Sequence, residues 1–108
     1  MIARIWRGVT RPEDADRYIA HVEATGVQDY RATPGSLGVH ILRNDLDDRT
    51  EIVTLTFRES WDAIRALAGD DPRIARFYPE DDGFLLERAE RVEHYTVPYS
   101  SLFAGATG

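Results

Sequence analysis

Thr50-Glu51-Ile52-Val53-Thr54-Leu55-Thr56-Phe57-Arg58-Glu59-Ser60-Trp61-Asp62-Ala63-Ile64-Arg65-Ala66-Leu67-Ala68-Gly69 decides the fold. Its first part alternates. Val53, Leu55 and Phe57 fall on one side, and Ile52, Thr54 and Thr56 on the other, which is the period of a strand. Ser60 is a side chain that caps helices. Behind it Trp61, Ile64, Leu67 and Ala68 form one helical stripe, and Gly69 ends it. Downstream, Asp71 with Pro72 predicts a short capped helix that Pro79 stops. Phe77-Tyr78-Pro79-Glu80-Asp81-Asp82 follows, ending in an acidic surface turn. Glu87 to Val97 is a further strand, ended by Pro98. A sheet with a helix and aromatic side chains laid across it makes a place for a small aromatic guest.

Upstream, Ile2 to Val9 alternates with apolar groups on both sides, as in a strand covered on both faces. Thr10 or Arg11 caps the next helix, with Pro12 at its first position and Glu13 and Asp14 in its first turn, where the helix dipole favours carboxylates. Ala15, Tyr18, Ile19 and Val22 keep helical spacing up to Gly26, which marks a bend or a close approach. Ala32-Thr33-Pro34-Gly35 is a loop. Leu37, Val39 and Ile41 begin a second strand, and Asn44-Asp45-Leu46-Asp47-Asp48 is a polar hairpin turn.

The order is strand, helix, strand, strand, helix, strand. This is the α+β ferredoxin-like split βαβ pattern (βαββαβ) with a four-stranded antiparallel sheet. Right-handed crossovers place both helices on one face. The other face is left for a partner, so a homodimer is expected. One domain covers residues 1–98, and residues 99–108 form a small-residue tail.

Composition narrows the function. The chain of 108 residues suits one domain and is 43% hydrophobic, enough for a small core. Nineteen acidic against 13 basic residues give a formal charge of −6, which argues against a nucleic-acid partner. All the basic residues are arginine. Without cysteine there is no disulfide, thiol nucleophile or thiolate metal site. The apolar runs are too short to span a membrane, and Met1 leads straight into a strand with no signal-peptide pattern, so a cytoplasmic protein is expected. His21, His40 and His94 lack the paired spacing of metal ligands. The Asp45–Asp48 run lacks the glycine and glutamate of a calcium loop. No metal site is expected.

Five stretches together resemble the antibiotic biosynthesis monooxygenase (ABM) domain family. They are Ala3-Arg4-Ile5-Trp6-Arg7-Gly8, Tyr30-Arg31-Ala32-Thr33-Pro34-Gly35, Ala68-Gly69-Asp70-Asp71, Tyr78-Pro79-Glu80-Asp81-Asp82 and Val92-Glu93-His94-Tyr95. The resemblance implies a dimeric α+β barrel, two ferredoxin-like sheets packed face to face, with one pocket per subunit between sheet and helices. It also implies one of three chemistries: cofactor-independent oxygenation of anthrones and quinols, quinol modification, or haem degradation.

Oxygenation without a cofactor needs an apolar pocket, a proton acceptor, and donors for a developing oxyanion. Trp6, Trp61, Phe77 and Tyr78 are candidate walls. His94 is the candidate base or hydrogen-bond partner, since imidazole titrates near neutrality. Tyr30 or Tyr95 is a candidate donor, and Tyr30 also a substrate contact. No cofactor is called for. Haem-degrading relatives use a histidine in the second helical region. Here that region reads Asp71-Pro72-Arg73-Ile74-Ala75-Arg76-Phe77-Tyr78, where only Tyr78 offers a ligand. Trp6 stands in place of their first-strand asparagine. The expectation is a small cofactor-independent monooxygenase of a phenolic, anthrone or quinone-like metabolite. The alternative is a non-catalytic dimeric domain that binds a small ligand or serves in stress responses.

Overall fold

The structure, a computed structural model, describes residues 1–68, 83–89 and 91–101. Strand β1 (Ile2–Thr10) leads into a 3-10 turn (Pro12–Asp14) and helix α1 (Ala15–Ala24). Helix α2 (Gly26–Ala32) follows, then β2 (Ser36–Asp45), β3 (Thr50–Arg58) and α3 (Trp61–Ala68). Strands β4 (Leu85–Arg88) and β5 (Glu93–Thr96) close the sheet. The sheet order is β2-β3-β1-β4, with β5 also on β1, and every pair is antiparallel. This is the expected ferredoxin-like order, with β1 and β3 at the centre.

Local signals explain the elements. Pro12 starts the 3-10 turn, and Asp14 then receives Arg11 Nε at 3.1 Å and a hydrogen bond from Arg17. The expected bend at Gly26 is real. Thr25 leaves helical geometry at φ −116°, ψ −80°, and a separate helix begins at buried Gly26. Gly35 has φ +83°, a conformation that favours glycine, and its carbonyl accepts from Glu59 N at 2.9 Å. The Ser60 cap is also present, with Ala63 N donating to Ser60 Oγ at 3.2 Å. Gly69, the helix expected after Asp71, and the acidic turn lie outside the described residues.

One expected element is divided. The strand read from Glu87 to Val97 is two strands. Between the pairs Ile5↔Glu93 and Gly8↔Arg88, β1 advances three positions while the returning chain advances five. The sheet therefore has five strands rather than four, with two more residues in the returning chain than in β1 over this interval. Trp6 lies within this interval of β1. Its indole Nε1–H donates to Ala89 O at 2.9 Å, while Ala89 N donates to Arg7 O at 2.9 Å.

Alternation assigns the faces. Trp6 and Ile52 pack with Tyr18 and Val22 of α1 and with Val92, so the even positions of β1 and β3 lie beneath the helices. The odd positions, among them Ile5, Val53, Leu55 and Phe57, face the other way. Leu42 and Tyr95 on that face are about half exposed.

Candidate functional site

The helix-covered face has two unlike halves. Around Trp6 it is apolar. Two residues earlier in β1 it turns polar and charged. Arg4 is 8% exposed and Arg58 is wholly buried. The register pairs Arg4 with Thr56 and Ile2 with Arg58, so the two arginines are diagonal neighbours on adjacent strands. On the other side of β1, Arg4 pairs with His94 of β5. Thr54 and Thr56 are buried in the same layer, and Thr56 Oγ1 donates to Arg4 O at 3.5 Å.

His94 is half-buried between Arg4 and Trp61. Its ring centroid lies 5.0 Å from that of Trp61 at the start of α3. Its Nε2 lies 3.0 Å from Arg4 Nη1. A guanidinium has donors only, so this contact is a hydrogen bond when Nε2 accepts and the ring proton sits on Nδ1. Burial, then the positive charge of Arg4, hold the His94 pKa below the ordinary imidazole value. His94 is therefore neutral near pH 7, with one lone pair engaged and one N–H to offer.

Arg58 lies against α2. Its guanidinium carbon is 5.3 Å from the Tyr30 ring centroid, and its Nη1 donates to Tyr30 O at 3.4 Å. Its Nε and Nη2 are buried without a hydrogen-bond partner. Burial lowers the pKa of both guanidiniums, Tyr30 offsets part of this for each, and the charge of Arg58 lowers Arg4 further. Both still carry their proton, because a guanidinium is not deprotonated in proteins. An open hollow of about 390 Å³ is lined by Arg31, Ser36, Leu37, Gly38 and Val39, neighbours in sequence or register of Tyr30 and Arg58. Ser36 is the register partner of Arg58, and Arg31 follows Tyr30 in α2.

The side chains expected from sequence divide accordingly. His94, Trp61 and Tyr30 come to the charged corner. Trp6 is 8% exposed in the apolar core, with its indole donor bound to Ala89. Tyr95 follows His94 on β5 and so projects from the opposite face, where its hydroxyl donates to Glu93 Oε2 at 2.7 Å. Phe77 and Tyr78 lie outside the described residues. Arg4 and Arg58 were not expected. The signal for them is phase: each continues the alternation of Trp6 or of Ile52, Thr54 and Thr56, which points inward.

Among the described residues, no group of three histidine or acidic side chains is arranged to hold a metal ion. No helix among them is long and apolar enough to cross a membrane.

No family model matches the sequence, and no curated protein does. Solved structures do match in three dimensions. A candidate antibiotic biosynthesis monooxygenase from Bacillus cereus superposes with a TM-score of 0.66 at 11% identity, over 94% of this chain and 97% of that one. A variant of SnoaB, a cofactor-independent oxygenase from Streptomyces nogalater, gives 0.57 at 18% identity, over 92% and 94%. An MhuD variant with two manganese protoporphyrin IX molecules per active site gives 0.61 at 19% identity, over 95% and 100%. The chain has the fold of these proteins. The ABM-like fold read from the sequence thus extends over nearly the whole molecule, and at these identities the likeness is one of fold.

Proposed function

We propose that the protein is a cofactor-independent monooxygenase of a phenolic, anthrone or quinone-like metabolite, working as a homodimer. The observation that carries this reading is the corner built from Arg4, Arg58, His94, Tyr30 and Trp61. Buried cations facing aromatic side chains favour the ionised form of an electron-rich phenol or anthrone. The fold shared with SnoaB supports the same chemistry.

In an anthrone, loss of a proton from the ring methylene gives a carbanion, which passes an electron to dioxygen. The radical pair combines to a peroxide at that carbon. Loss of water with the remaining methylene hydrogen leaves a ketone. One oxygen atom stays in the product and the other leaves as water. The protein's part is to lower the cost of the anion and to receive the first proton. The guanidiniums serve the first task. His94 serves the second once an oxygen of the bound, still neutral substrate draws Arg4 away and frees Nε2. Until then burial and the charge of Arg4 keep the imidazole neutral, which is the state a base requires.

The corner fits haem poorly. Arg4 engages the Nε2 lone pair and sets a positive charge where an iron cation would approach.

A second copy would cover the open face. Ile5, Val53, Leu55 and Phe57 make it apolar, and Leu42 and Tyr95 are exposed upon it. Light scattering on the purified protein tests this, with twice the chain mass expected.

The test of function is oxygen uptake with a panel of anthrones and quinols. Wild-type protein is expected to consume oxygen. His94→Ala is expected to lower kcat about 100-fold or more while changing KM little, as for a group that handles a proton. Ligand binding with no oxygen consumed and no product by mass spectrometry would instead support the binding-domain reading, to which the engagement of the His94 lone pair lends weight.

A further inference from the structure

Arg58 is the one described side chain with two buried donors and no acceptor for either. It has no exposed surface. No carboxylate among the described residues forms an ion pair with it. A guanidinium cannot escape this position by losing its proton, so burial without an anion is costly. Its two orphan donors are not a random pair. Nε–H and Nη2–H lie parallel on one edge of the planar guanidinium, and that edge matches the two oxygens of a carboxylate. Nη1, on another edge, holds Tyr30 O. The Tyr30 ring covers one face of the group at 5.3 Å, and Ser36, the register partner of Arg58, lines the hollow together with Arg31.

We propose that Arg58 anchors a carboxylate on the ligand through Nε and Nη2, so that the protein takes an aromatic acid rather than a neutral aromatic. Tyr30 supplies the aromatic surface beside the anchor and fixes the guanidinium through its carbonyl. The inference rests on the corner being the ligand site, as in the proposed function, and adds the anionic group that selects the ligand.

Isothermal titration of the full chain with 1-naphthoate, 1-naphthamide and acetate tests it. Naphthoate is expected to bind at least about tenfold more tightly than naphthamide, the size of one charge-assisted hydrogen bond. Arg58→Gln is expected to erase that difference, and Arg58→Lys, which keeps the charge but loses the fork, to restore only part of it. Equal binding of acid and amide by wild type, or an unchanged preference in Arg58→Gln, would overturn the proposal. Acetate binding as tightly as naphthoate would overturn its aromatic part. Urea unfolding of Arg58→Met without ligand supplies an independent readout. An unpaired buried charge predicts a higher midpoint, whereas a lower midpoint would make Arg58 a structural residue and overturn the anchor. Acid-selective binding without oxygen uptake supports the anchor and defeats the oxygenase reading. Uptake of oxygen from neutral quinols without acid preference does the reverse.

Discussion

Trp6 and Arg4 lie two residues apart on one strand, on the same face and beneath the same layer of helices, yet they belong to different kinds of interior. The Trp6 region packs Tyr18, Val22, Ile52 and Val92 together, and the indole donor reaches Ala89 O. The Arg4 region buries two cations beside Tyr30 and leaves two donors of Arg58 without acceptors. The first interior lowers the free energy of the folded chain. Unmet buried donors like those of the second are costly to the folded chain, and on the proposed function a ligand would supply their acceptors. Substitutions in the two halves are therefore expected to act in opposite directions.

The largest effect is expected at Trp6. Trp6→Ala removes a large buried ring and leaves Ala89 O without its donor, at a cost of about 3–5 kcal/mol. Chemical denaturation followed by circular dichroism measures it. A loss smaller than that of an exposed aromatic such as Tyr99 would mean that Trp6 is not core. At the other pole, Arg58→Met is expected to stabilise the ligand-free chain by about 1 kcal/mol or more, as when buried ionic groups give way to apolar ones. The same denaturation series checks its sign.

The smallest effect sharpens the charged half alone. The folded-state pKa of His94 is depressed, so its protonation favours the unfolded chain. The stability it contributes is complete above its unfolded pKa, near 6.5, and is lost as pH falls through the lower folded value. Wild-type protein is thus expected to lose stability between pH 7 and pH 5. His94→Gln is expected to show a flatter profile over that window. Thermal unfolding at half-unit pH steps measures the difference, and parallel profiles would detach His94 from Arg4.

Much of the scaffold was legible because its signals are local. The alternation of Thr50–Arg58, the Ser60 cap, the Pro12 start and the Gly26 bend each depend on a few neighbouring residues. The break between β4 and β5 was not legible. It carries no glycine or proline, and it arises from how the returning chain meets Trp6 across the sheet. Trp6 reads as a pocket wall by residue type, and in the fold it packs with Tyr18, Val22, Ile52 and Val92 while its indole donor holds Ala89 O. His94, Trp61 and Tyr30 were named from chemistry and do gather at one corner. Tyr95 shares their chemistry but not their face, since strand alternation turns it away from His94. Arg4 and Arg58 were overlooked because arginine is ordinarily a surface residue. Their phase within the strands, rather than their type, says that they point inward.

If the Arg4–Arg58 corner receives an aromatic oxygen anion, the ultraviolet spectrum of a bound naphthol reports it as pH is varied. Naphthol bound to the wild-type protein is expected to show the naphtholate spectrum at a pH well below that at which free naphthol ionises, and Arg58→Gln is expected to move the transition back toward the free value. A bound naphthol that keeps its neutral spectrum up to the pH of the free compound would contradict it.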